Sequence, residues 1–116
     1  MRHLILSDMH GNWDAFSTVL GSVRDEHFDS VLVLGDLVGY GASPHRIIDR
    51  VRRFGPELTI VRGNHDKVVA GLEEGLGFNR VALTSIRWTR SRLGKRRLAY
   101  LADVPQGPAQ IEDFLI

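Results

Sequence analysis

Leu4-Ile5-Leu6-Ser7-Asp8-Met9-His10-Gly11-Asn12 is the stretch on which the fold turns. An apolar run ends abruptly in hydrogen-bonding and metal-ligating side chains. A helical pattern follows at once, because Trp13, Phe16, Val19, Leu20 and Val23 recur at the spacing of one helical face. Asn12 suits the N-cap, and Asp14 is favourable in the first turn. The predicted order is therefore strand, loop, helix, with the helix ending near Glu26 or His27. Asp8 and His10 fall where strand gives way to helix. Two positions apart, they point to the same side of an extended backbone.

The arrangement recurs twice. Ser30 to Leu34 runs into Gly35-Asp36, and Leu58 to Val61 runs into Gly63-Asn64-His65-Asp66. These runs, and Arg2 to Leu6, are contiguous rather than alternating in their apolar residues, which predicts strands buried on both faces. Between the second and third, Ser43-Pro44 reads as an N-cap with proline at the first helical position. Ile47, Ile48 and Val51 give that helix its apolar face, and Gly55-Pro56 stops it. Strands alternating with helices imply βαβ units and a parallel sheet with flanking helices, an α/β fold. Ligands bind beyond the carboxyl ends of the strands in such sheets. All three polar clusters lie at those ends.

Beyond Asp66 the pattern is helical. A short helix is expected over Lys67 to Leu72, and a longer one over Asn79 to Leu93, with Val81, Leu83, Ile86 and Trp88 as candidates for burial. Gly94 ends it, and Lys95 to Ala102 forms another. Gln110 to Ile116 is expected to begin a strand. A strand at the very C-terminus reads as an interrupted fold, so residues 1–116 are expected to be one domain truncated at its C-terminus.

Composition narrows the function classes. Formal net charge is +1, which gives no support to a nucleic-acid, membrane or acidic partner. There is no cysteine, hence no disulfide framework and no thiolate metal site. No apolar run approaches the ~18 residues of a membrane span, and Ser7 and Asp8 cut short any signal-peptide pattern. A cytoplasmic protein is expected. Arg87, Arg90, Arg92, Lys95, Arg96 and Arg97 form a basic stretch that reads first as a solvated helix face, with attraction of a phosphorylated substrate as the alternative. Trp13, Phe16 and Trp88 read as core residues, and Tyr40 as a loop residue within possible reach of a substrate.

Asp8, His10, Asp36 and Asn64 offer carboxylate, imidazole and amide donors. This mixture suits divalent Mn, Fe, Co, Ni or Zn better than Ca. Two metals about 3.5–4 Å apart can share a carboxylate and activate a hydroxide for in-line attack on phosphorus. Asp36, from the middle motif, is the natural bridge. His65 sits beside Asn64, where it can protonate a leaving oxygen or stabilise a charged transition state.

Asp8-Met9-His10, Gly35-Asp36-Leu37-Val38-Gly39-Tyr40-Gly41 and Gly63-Asn64-His65-Asp66 resemble the first three signatures of the calcineurin-like metallophosphoesterases. The Gly39-Tyr40-Gly41 form, with Trp88-Thr89-Arg90 downstream, most resembles the small prokaryotic phosphodiesterase branch. The resemblance implies the N-terminal half of an αββα sandwich and metal-dependent hydrolysis of a small phosphoester or nucleotide. It implies that Asp8 and His10 ligate the first metal, Asp36 bridges, Asn64 ligates the second, and His65 is the catalytic or substrate-binding histidine, so the first metal is well supplied and the second has only Asp36 and Asn64. Asp66 reads as a brace for its loop. Family members complete the site with later histidines, in a His-Gly and a Gly-His-Thr-His-like motif, whereas no histidine follows His65. Gly39 stands where the protein-phosphatase branch has an aspartate, which argues against that activity. Two rival readings follow from the missing histidines. One is a non-catalytic metal- or phosphate-binding fragment, and the other is an interaction module completed by a second copy or by a C-terminal segment.

Overall fold

The computed structural model describes residues 1–116. Three parallel strands, β1 (His3–Leu6), β2 (Ser30–Val33) and β3 (Leu58–Ile60), lie side by side in that order. The register pairs Ile5 with Leu32 and Leu32 with Thr59. Helices α1 (Trp13–Ser22) and α2 (Pro44–Arg52) are the crossovers. Helix α3 (Asn64–Val69) follows β3, and α4 (Arg80–Asp103) is broken at Gly94, whose backbone lies at φ 71, ψ 168. The chain ends in a hairpin of β4 (Gln110–Ile111) and β5 (Phe114–Leu115).

Side chains alternate across a sheet, so the register divides it into two faces. Leu6, Val31 and Val33 share one cluster with Phe16 of α1, Ile47, Ile48 and Val51 of α2, Val68 and Val69 of α3, and Leu93 of α4. All four helices therefore pack on one face. The other face carries His3, Ile5, Leu32 and Thr59. The hairpin lies against its His3 corner, with the His3 ring edge-on to Phe114 at 5.7 Å.

Several sequence expectations shift here. Burial on both faces holds for β2, whose Val31, Leu32 and Val33 are all buried, but not for β1, where Ile5 is 55% exposed. Contiguous apolar residues report hydrophobicity and cannot report that a strand is at the sheet edge. Helix α1 ends at Ser22, earlier than Glu26, because the chain turns at Val23. Helix α3 starts at Asn64 rather than Lys67, since the Asp66 carboxylate accepts from the Gly63 N–H and starts the first turn. The C-terminal strand is a hairpin, because Glu112 at φ 48 reverses the chain between Ile111 and Phe114. In α4 the buried stripe is Ala82, Ile86, Thr89 and Leu93, so Val81 and Trp88 are 70% and 38% exposed rather than buried. No helix is long and apolar enough to cross a membrane.

Candidate metal centre

The loops beyond β1 and β2 are laced together before any side chain is considered. The N–H groups of Asp8, His10 and Gly11 donate in turn to the carbonyls of Gly35, Asp36 and Leu37. The ladder thus continues past the strands and holds both loops at the carboxyl edge of the sheet. Asp8, His10 and Asp36 all sit at positive φ, 56°, 44° and 54°. Non-glycine residues rarely adopt that conformation, and it clusters where surrounding structure over-determines a functional geometry. Gly63 admits the β3 loop, since a Cβ there would overlap the Asp36 carboxylate.

The result is convergence. One ligand atom from each of Asp8, His10 and Asp36 lies within 4.8 Å of the others. His10 Nδ1 is 2.9 Å from the Val38 carbonyl, which can only accept, so Nδ1 carries the proton and Nε2 keeps its lone pair. Nε2 points into the cluster, 3.5 Å from Asp8 Oδ1 and 3.9 Å from Asp36 Oδ2. Neither carboxylate has a lysine or arginine within 4.0 Å. Two carboxylates and an imidazole lone pair, locked by backbone and unneutralised by the protein, fit a divalent cation. Asn64 is joined to this group indirectly: the His65 N–H donates to both Asp36 Oδ1 and Asn64 Oδ1, at 3.0 and 3.1 Å.

His65 is only 8% exposed, and its ring packs against those of His10, Tyr40 and Phe78 at 4.8–4.9 Å between centroids. Burial holds its pKa below the ordinary histidine value, with Asp36 opposing the shift. Its Nδ1 is buried without a partner, and a Cβ at Gly39 would come within 2.7 Å of that atom. Glycine at position 39 is what admits the ring. Asp66 is fully buried and accepts from the N–H groups of Val38 and Gly63, tying the β2 loop to the β3 loop. Desolvation pushes its carboxyl up to about 6.

Sequence reasoning missed the parts played by four residues. The Val38 carbonyl fixes His10, Phe78 walls His65, and Gly39 makes room for it. The fourth is Ser85, whose hydroxyl oxygen lies 2.6 Å from the Tyr40 nitrogen and anchors the β2 loop to α4. None carries a composition signal, because each acts through a backbone atom, a missing Cβ or a contact across the fold. His27 and His45 are exposed and His3 is partly buried at the hairpin, so none of them joins the site.

Comparison with known proteins matches residues 1–107 to the family model described as calcineurin-like phosphoesterase. The chain belongs to the calcineurin-like phosphoesterase family. It is 34% identical over 101 residues to an uncharacterized protein of Methanocaldococcus jannaschii, covering 87% of this chain and 41% of that protein. It is also 34% identical over 82 residues to a symmetrical bis(5'-nucleosyl)-tetraphosphatase of Baumannia cicadellinicola, covering 70% of this chain and 28% of the relative. A crystal structure of a metallophosphoesterase from Sphaerobacter thermophilus superposes with TM-score 0.73 at 38% identity, over 90% of this chain and 42% of the other. The chain thus spans less than half the length of each of these relatives. Family membership implies divalent metal ions, and Asp8, His10 and Asp36 form a candidate site for one.

Proposed function

We propose that the chain carries the metal-binding part of a cytoplasmic phosphoesterase that hydrolyses a phosphodiester or nucleotide. The convergence of Asp8, His10 and Asp36 at the strand ends of a calcineurin-like fold is the observation that carries this reading. Asp8, His10 and Asp36 would hold a first divalent cation, and Asp36 with the Asn64 amide oxygen would hold a second. Bound there, they would supply Lewis acidity for the attack of water on phosphorus. His10 stays in its ligating tautomer through Val38. His65 presents Nε2 to a phosphoryl or leaving oxygen, since Nδ1 is buried against Gly39. Its lowered pKa makes it a neutral hydrogen-bond donor near pH 7 rather than a standing cation. The tetraphosphatase relatives favour a nucleotide substrate, the solved relative favours a metallophosphoesterase in general, and the absence of cysteine fits a reducing compartment. Manganese, iron, cobalt, nickel and zinc all suit the donor set.

The second cation has one charged ligand and one amide, and shares that charge with the first. The expected result is about one tightly held metal per chain and slow hydrolysis of bis(p-nitrophenyl) phosphate in excess manganese. Metal content by mass spectrometry, with rates measured beside it, tests this. No metal retained and no manganese-dependent rate would favour an interaction module over an enzyme.

A further inference from the structure

The face of α4 beside its buried stripe carries an unusual set of residues. Val81, Thr84, Ser85 and Trp88 recur at helical spacing and, with Tyr40 and Arg80, line a groove of about 490 Å³. A second hollow of about 360 Å³ lies on the far side of Trp88, lined by His45, Arg92 and Arg97. Trp88 is common to both, so the two adjoin along one helix face. Tyr40 joins the groove to the metal centre, its ring 5.2 Å from that of His10 and 4.9 Å from that of His65. Its position is fixed by Ser85 at 2.6 Å.

The charges along this helix are not equivalent. Arg97 is engaged, with two hydrogen bonds to Asp49 at 2.9 and 2.7 Å that fasten α4 to α2. Arg87 and Arg90 lie in a different hollow that also holds Glu73 and Glu74. Arg80 and Arg92 have no carboxylate within 4.0 Å. Arg92 instead lies over the Trp88 ring at 5.4 Å. The groove therefore offers two exposed aromatic rings and the Arg80 guanidinium group, which has no carboxylate partner, starting beside the candidate metal centre. A flat aromatic group linked to several phosphates matches that pattern, because bases stack on aromatic rings and guanidinium forks pair with phosphate.

We propose that the groove between Tyr40 and Trp88 is a nucleobase subsite of the metal centre, with Arg80 holding a phosphate of the same nucleotide. The proposal rests on the phosphoesterase reading for its purpose but not for its test. Stacking of one base on an aromatic ring is expected to strengthen binding roughly tenfold to a hundredfold.

The test is calorimetric binding to the full chain in EDTA, where no turnover occurs, using ATP and the base-free tripolyphosphate. ATP is expected to bind at least ~10-fold tighter than tripolyphosphate. Trp88→Ala should remove most of that difference while leaving tripolyphosphate binding in place, and Trp88→Phe should retain most of it. Arg80→Gln should weaken both ligands, and Arg87→Gln neither. Equal affinities for ATP and tripolyphosphate in the unmodified chain would overturn the subsite. So would ATP binding that survives both Trp88→Ala and Arg80→Gln unchanged. Hydrolysis of bis(p-nitrophenyl) phosphate with manganese separates the two claims. Base-dependent binding without hydrolysis supports the subsite and counts against the enzyme, and hydrolysis without base-dependent binding overturns the subsite alone.

Discussion

His10 Nδ1 lies 2.9 Å from the carbonyl oxygen of Val38. This one contact decides which ring nitrogen faces the carboxylates. A main-chain oxygen cannot donate, so the ring proton stays on Nδ1 and the lone pair of Nε2 is turned toward Asp8 and Asp36. Long-range proton–nitrogen NMR on the metal-free protein at pH 8 should show His10 in the Nδ1–H form. A dominant Nε2–H form would remove the argument that the ring is preset for a metal.

Asp36→Asn should weaken manganese binding more than Asp66→Asn. Asp36 offers its carboxylate directly to the cluster, whereas Asp66 acts through the backbone of Val38 and Gly63. Loss of such an outer partner costs typically ~10–100-fold in metal affinity, and loss of the shared ligand should exceed that. Titration calorimetry compares them, and equal losses would count against Asp36 as the bridge.

Gly39→Ala should destabilise the fold and dislodge His65. Gly39 lies at φ 90, and its new Cβ would meet His65 Nδ1 at 2.7 Å. Holding a non-glycine residue in such a conformation costs of order 1–3 kcal/mol before the clash is counted. The denaturant midpoint should fall, while a surface control within α1, Gly21→Ala, with open space around its Cβ, stays at or above the parent. An unchanged midpoint for Gly39→Ala would show that the ring has room to retreat.

Stability of the metal-free protein should fall as pH rises from about 4 to about 6. The Asp66 carboxyl is pushed up to about 6 by burial, above its ordinary value of 3.8. The folded state then binds more protons than the unfolded state in that window, so the stabilisation is present below it and lost as pH climbs through it. The loss is of order 3 kcal/mol from the size of the shift. Asp66→Asn should flatten the slope, and a bound cation should oppose it by favouring the carboxylate. Asp49 gives the opposite sign: the Arg97 hydrogen bonds hold its carboxyl below 3.8, so its contribution disappears only under stronger acid. Thermal melts in EDTA across pH 4–8 that rise with pH would contradict the Asp66 assignment.

Ile5→Glu should reduce self-association. Ile5 is more than half exposed on the sheet face that the helices leave open, and β1 is an edge strand whose outer backbone groups lack a ladder partner. Light scattering of the parent chain should show apparent mass rising with concentration, and the variant should stay smaller. A parent that remains monomeric throughout would sink this expectation.

The sequence by itself determined the parallel sheet, the helix order and the residues that gather at its carboxyl edge. It could do so because those features are local: an apolar run ending in Asp8, in Asp36 or in Asn64 means the same thing wherever the strand lies. Proline at position 44, Asn12 and Asn79 at helix starts, and the Gly94 break were legible for the same reason. What only the tertiary structure decided depends on neighbours far apart in the chain. Ile5 and Leu32 are both apolar strand residues, yet one is exposed and the other buried, because β1 is an edge and β2 is not. Val81 and Trp88 face a groove because the stripe of α4 that meets the core runs through Ala82 and Thr89. The tautomer of His10 hangs on a carbonyl 28 residues away, and the depressed basicity of His65 on burial beside Gly39, Tyr40 and Phe78. Hydrogen-bond partners and desolvation are set by packing, and packing is a property of the assembled fold rather than of any short stretch within it.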